Sequence, residues 1–211
     1  MSRTTPTPEA PRLAPVTAAR LGPEGRELLK GRLTAADRYL SGGPEAPPMP
    51  AILGLLGHHP TLAANWLAWN AGLLEAPVLD PRDRELLVLR VGWRAQCRYE
   101  WAQHVRMALD AGLTAEQVAA VAGGDDASGA HTWSERDRHL LAAADQMVVD
   151  HRVDDATWRG LAARFDEAQL LEVLFVVGSY LCLALVLNSV GLVPDPGTDE
   201  GPGRLPGTEG S

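Results

Sequence analysis

Cys97, Glu100 and His104 stand at i, i+3 and i+7 in the stretch Cys97-Arg98-Tyr99-Glu100-Trp101-Ala102-Gln103-His104. On a helix these three positions fall within an arc of roughly 60°. A thiol, a carboxylate and an imidazole on one face have nucleophilic and acid/base capacity. Imidazole changes charge near neutral pH, which suits it to moving protons. A carboxylate four residues earlier is its side-chain neighbour, and negative charge close by favours the protonated ring. His104 is therefore the first catalytic candidate. Glu100 is expected to orient it or to exchange a proton itself. Cys97 would sit near a helix N-terminus, which lowers a thiol pKa, while Glu100 opposes a thiolate. Trp101 beside Glu100 argues for partial burial, where an unpaired carboxylate is costly.

The elements around this stretch must be helices. Asp80-Pro81 is a helix start: a capping Asp, Pro at the first helical position, then Asp83 and Glu85 in the first turn. That helix runs to about Ala95, carrying Arg84 and Glu85, and the Cys97 helix follows directly and ends at Gly112. Thr114 with Gln117 fits a capping box for a helix to Val121. Gly123 to Asp126 reads as a loop. Ser134 opens the next helix, Asp154 or Asp155 one to Phe165, and Asp166 a last apolar one to about Leu192. Before residue 80, a helix is expected over 23–40, a short one over 51–56, and another capped by Thr61 that puts Leu62, Trp66, Trp69 and Leu73 on one side. The expectation is an all-α fold of about seven to nine helices without strands. One domain covers 23–193. Residues 1–22 and 194–211 are too poor in large apolar residues to offset the cost of ordering and read as disordered tails.

The net charge is −8 and Lys occurs once, at Lys30. No basic block favours nucleic acid or an anionic membrane surface. Val173 to Leu187 is apolar but falls short of the roughly 20 residues a spanning helix needs, so a core or subunit-interface helix is expected. Two cysteines, Cys97 and Cys182, make no disulfide framework, and no secretory leader is visible, so a cytoplasmic location is expected. There is no Gly-rich phosphate loop, no CxxC and no HExxH, and no cofactor is expected. His58 and His59 share no ligand spacing with Glu100 and His104, so no metal is expected either. Cys182, in the apolar last helix, reads as core.

Leu79-Asp80-Pro81-Arg82-Asp83-Arg84-Glu85, then Cys97 to His104, then Ala111-Gly112-Leu113-Thr114 with Glu116, together resemble the carboxymuconolactone decarboxylase / AhpD-like (alkylhydroperoxidase) family. The likeness extends more loosely from about Met49 to Leu192, including Tyr180 and Asn188. The AhpD-like branch uses a Glu, a CxxC pair, and a His four residues after the second Cys. Glu85, Cys97 and His104 match, but Glu100 stands at the second Cys, so a dithiol–disulfide cycle cannot run between these positions. The decarboxylase branch carries an acid four before the His, as Glu100 is here, and needs no cysteine. The resemblance implies an AhpD-like helical fold and a trimeric or hexameric homo-oligomer. It makes His104, Glu100, Cys97 and Glu85 the catalytic candidates. Arg84, Trp101 and Trp69 are the candidates for holding a small carbonyl- or lactone-type substrate, though Arg84 also suits a structural carboxylate, and the Trp residues suit core packing. Three functions stay open: acid/base chemistry such as decarboxylation, isomerisation or elimination; thiol peroxidase activity through Cys97; and a non-catalytic helical binding protein.

Overall fold

Asp80 caps the central helix as its sequence predicts. Its side chain accepts from the Arg82 N–H at 2.9 Å and Pro81 fills the first helical position. The computed structural model describes residues 10–41, 46–122, 133–198, 201–202 and 205. Among them are ten α-helices and no strand, so the chain is all-α with slightly more helices than the periodicity suggests. The expected loop at Gly123 to Asp126 lies outside the described residues.

The chain divides into two compact units where one domain was expected. The first comprises residues up to Pro77 together with 190–195. It holds α1 (Ala18–Leu29), α2 (Thr34–Leu40), α3 (Ala51–Leu56) and α4 (Pro60–Glu75). Their core is Val16, Leu21, Leu29, Ala36, Leu40, Leu53, Ala63 and Leu67. Ordered packing therefore begins before residue 23. The single helix expected over 23–40 is broken at Gly31, which takes φ 73° and donates its N–H to Asp37 Oδ1 at 2.8 Å. A positive φ of that kind is cheap for glycine and ends a helix. The cap of α4 is His59, whose ring accepts from the Leu62 N–H, with Pro60 next, rather than Thr61.

The second unit holds α5 (Pro81–Arg94), α6 (Arg98–Asp110), α7 (Ala115–Val121), α8 (Glu135–Val149), α9 (Asp155–Ala162) and nearly all of α10 (Glu167–Val190). Thr114/Gln117 and Ser134/Asp137 each form the reciprocal capping box. Asp166 and Gln169 exchange backbone amides in the same way before α10. Every residue of α5 from Asp83 to Gly92 is buried. A helix covered on all sides is a core helix, and α6, α7 and α8 pack against it. Helix α10 is tied to both ends of α5. Glu172 accepts from the Val78 and Leu79 N–H groups, and Asn188 donates to the Ala95 carbonyl at 2.6 Å. The two helices therefore run in the same direction. At 24 residues, with a mean hydropathy of 2.5 over its most apolar 18, α10 is longer than the apolar run predicted and is long enough by composition to cross a membrane. One of its faces is buried, through Val173, Val176, Val177, Tyr180, Ala184 and Leu187.

Burying α5 buries its charges. Arg90 is closed from solvent and forks onto Asp145 of α8, Nε to Oδ1 at 2.6 Å and Nη2 to Oδ2 at 2.7 Å. Arg94 grips the same carboxylate at 2.7 and 2.8 Å. Arg90 also donates to the Val121 carbonyl at the end of α7. Burial raises the Asp145 carboxyl, but the two guanidinium groups outweigh it and hold it below the usual range. Asp137 of α8 takes Arg82 in a similar fork, and Arg136 pairs with Asp83. Paired arginine forks offset a desolvation that a lone charge would not survive.

Replacing Asp145 with Ala strands Arg90 inside the fold. We expect a loss of about 3 kcal/mol or more in urea unfolding; a loss below about 1 kcal/mol would show that water reaches the guanidinium. Because the folded Asp145 pKa is depressed, its contribution is present above the ordinary carboxylate range and is lost as pH falls through the folded value.

Candidate active site

The α5–α6 hairpin fixes which side chains meet. Gln96 takes φ 54° in the tight turn, and the Cys97 N–H donates to the Gly92 carbonyl at 2.8 Å. Counted outward from that pair, seven residues along each helix are Glu85 and His104. Seven residues are about two helical turns, so both helices return to the facing side together. Glu85 Oε2 and His104 Nδ1 lie 2.7 Å apart, both side chains buried. Arg84 donates Nε to the other Glu85 oxygen at 3.2 Å, with Nη2 also at 3.2 Å. Tyr180 of α10 presents its ring edge-on to the imidazole, centroids 5.0 Å apart. Burial would raise Glu85, but His104 and then Arg84 reverse that and hold its carboxyl below the usual range. Tyr180 is pushed up by burial first and then by the charge of Glu85.

An ionised Glu85 accepts the Nδ1 proton of the neutral ring, which leaves the lone pair on Nε2. Nε2 meets no partner among the described residues and keeps a small solvent access. It is the ring atom that the fold leaves open.

The expected Glu100–His104 pair does not form. Helical side chains lean toward the N-terminus. Glu100 reaches back, so that a methyl on Gly92 would lie 3.7 Å from its Oε1, while His104 turns across to α5. Glu100 is only 2% exposed, and both its oxygens lack a hydrogen-bond partner. Burial pushes its carboxyl well above the usual range and favours the protonated form. Cys97 caps α6 and is fully buried. Burial first, and then any charge on Glu100, pushes its thiol up to about 12. The helix N-terminus expected to activate it is outweighed, because the sulfur has lost its water. Cys182, read from sequence as core, is exposed.

Arg84 holds a carboxylate of the protein, that of Glu85. Trp101 is fully buried and tilted against Trp93, centroids 6.0 Å apart. Trp69 lies on α4 in the other unit and is half-exposed. A surface depression of about 270 Å³, lined by Gln146, Asp150, Arg152 and Asp154, includes none of the cluster residues. Among the described residues no group of three His, Cys, Asp or Glu is placed to hold a metal. Sequence spacing along one helix missed the Glu85–His104 pair as the primary contact. The equal spacing of seven from the Gly92–Cys97 turn was the signal that could have found it.

Two solved structures share this fold. One is described as an alkylhydroperoxidase AhpD core, an uncharacterized peroxidase-related protein from Ralstonia eutropha JMP134, with 19% identity and a TM-score of 0.67 over 91% of this chain and 92% of that one. The other is an uncharacterized peroxidase-related protein from Silicibacter sp. TM1040, with 15% identity and a TM-score of 0.69 over 95% of this chain and 100% of that one. No curated protein matches the chain. Residues 60–146 match the model of the carboxymuconolactone decarboxylase family. That segment carries Arg84, Glu85, Cys97, Glu100 and His104, and over it the chain is similar to the carboxymuconolactone decarboxylase family.

Proposed function

We propose that the chain is an acid/base enzyme on a small carbonyl- or lactone-type substrate, with His104 Nε2 as the proton-transferring atom. The observation that carries this is the buried 2.7 Å contact between His104 Nδ1 and Glu85, which leaves Nε2 open. Nε2 takes a proton from carbon next to the carbonyl. The imidazolium so formed is stabilised by Glu85, which Arg84 holds in place. Returning the proton to a neighbouring carbon gives isomerisation; in decarboxylation no proton is first taken from carbon, and the imidazolium, protonated from solvent, gives its Nε2 proton to the carbanion left when carbon dioxide departs. Glu100, kept protonated by burial, leaves Glu85 as the charged carboxylate on the ring. A reducing, cytoplasmic setting fits two cysteines that are both free.

The peroxidase-related description of the two structural neighbours favours a second reading, in which Cys97 attacks a hydroperoxide. A thiolate is the attacking form. A fully buried thiol pushed up to about 12, with Glu100 at the partner position, argues against it.

Solvent deuterium exchange into a panel of small carbonyl and lactone acids, followed by NMR, tests the first reading. His104→Ala is expected to lower exchange by about 10²- to 10⁴-fold, the usual weight of a general base. Glu85→Gln should cost roughly 10-fold or more in rate, while Glu100→Gln keeps most of the activity. The opposite ranking of the two glutamates overturns the assignment. Hydroperoxide should consume the Cys97 thiol no faster than it does in small-molecule thiols; rapid, selective loss at Cys97 would establish the peroxidase instead.

Stability supplies a check independent of substrate. The folded pKa of Glu100 is raised above its unfolded value. Its contribution is therefore complete below the ordinary carboxylate range and is lost as pH rises through the folded value. Urea unfolding at pH 5 and pH 8 should show wild type weakening across that interval more than Glu100→Gln. Equal slopes would mean that Glu100 is ionised in the fold.

A further inference from the structure

Tyr180 and His104 meet ring to ring, and each keeps one polar atom that the fold does not use. Their planes are perpendicular and their centroids 5.0 Å apart. Nε2 of the imidazole is the first such atom. The second is the Tyr180 hydroxyl, which makes no hydrogen bond among the described residues and is not sealed from the space around it. It is para on a ring already in contact with the imidazole, so the two atoms stand no farther apart than a small molecule spans.

The register of this pair is set by α10. Glu172 ties one end of that helix to the Val78 and Leu79 N–H groups, and Asn188 ties the other to the Ala95 carbonyl. Tyr180 lies eight residues from each tie. A slide of one helical turn, about 5.4 Å, would carry its ring off the imidazole, and both ties oppose it. The other polar groups of the cluster are engaged or closed. Arg84 holds Glu85. Both Glu100 oxygens are sealed, and so is the Cys97 thiol. A buried hydroxyl without a partner costs free energy, which a ligand oxygen accepting from it would remove. Burial first, and then Glu85, keeps the phenol protonated, and a protonated phenol donates.

We propose that the Tyr180 hydroxyl is the donor that receives the carbonyl oxygen of an enolisable substrate (a ketone, ester or lactone with hydrogen on the adjacent carbon) while His104 Nε2 works at that carbon. The assignment rests on the acid/base role of His104. As the C–H bond breaks, its proton passes to Nε2. Its electron pair becomes the second bond between the two carbons, and the carbonyl π pair moves onto oxygen. Tyr180 hydrogen-bonds that oxygen and retains its own proton. Charge develops there in a site closed to bulk water, where a fixed donor is worth far more than in solution.

Tyr180→Phe removes the hydroxyl and leaves the ring against the imidazole. It is expected to lower deuterium exchange by about 10²- to 10³-fold, the weight of one such donor. The Nδ1 proton of His104, read by nitrogen-15 NMR, and the helix content should not change. Exchange that survives in Tyr180→Phe and is lost in His104→Ala overturns the assignment of Tyr180 and leaves His104 standing as the base. A changed tautomer in Tyr180→Phe also overturns it, because the hydroxyl would then act through the imidazole. A second measurement needs no turnover: cyclopentanone carrying carbon-13 at the carbonyl is titrated into both proteins at millimolar concentration. A downfield shift of that carbon in wild type, absent in Tyr180→Phe, supports the donor even where no member of the panel exchanges, a result that would sink the acid/base reading alone. An equal shift in the two proteins, or none in either, overturns the donor.

Discussion

The constraint on which the second unit depends is the burial of α5 together with its charges. Ten consecutive residues of that helix are closed from solvent, and four of them are Asp83, Arg84, Glu85 and Arg90. An isolated charge in such a place would be neutralised or would unfold the helix. Each therefore comes with a counter-charge: Arg136 for Asp83, Glu85 for Arg84, Asp145 for Arg90. These pairs contribute register as well as energy. Arg90 and Arg94, one turn apart, close on one carboxylate of α8, so α8 cannot slide along α5 without breaking both forks.

The Glu85–His104 pair grows from the same arrangement. Glu85 is a buried charge that must be met from α6, and the tight turn at Gln96 delivers His104 to it after two helical turns. Orientation of the ring, choice of tautomer and charge of Glu85 all follow from one contact. Glu100 shows the reverse case. It is buried beside Gly92 with nothing to accept from or donate to, and keeping its proton is the cheaper state. Two glutamates within one hairpin are thus driven to opposite protonation states by their partners alone. Divergence of that kind is how a site keeps one carboxylate charged and another neutral at the same pH.

Much of this was legible in the sequence where local rules decide. Asp80-Pro81, Thr114 with Gln117 and Ser134 set helix starts because capping is a matter of three or four adjacent residues. The family likeness named Glu85, Cys97 and His104 before any geometry. What the sequence hid depends on residues distant along the chain. The i, i+4 rule made Glu100 the partner of His104, and tertiary packing gave that place to Glu85, nineteen residues away. Asp145 carries no local sign that two arginines some fifty residues earlier will close on it. Cys182 sits in an apolar run, and periodicity alone could not tell which face of so uniformly apolar a helix would be covered.

Glu85, and not Glu100, is the carboxylate in contact with His104, and it is expected to set the tautomer of the ring. Nitrogen-15 NMR of the labelled imidazole in its neutral form reads this directly. A proton on Nδ1 and a bare Nε2 are expected in wild type, unchanged by Glu100→Gln and lost as a preference in Glu85→Gln. A proton resting on Nε2 in wild type, or a tautomer that responds to Glu100 and ignores Glu85, would contradict it.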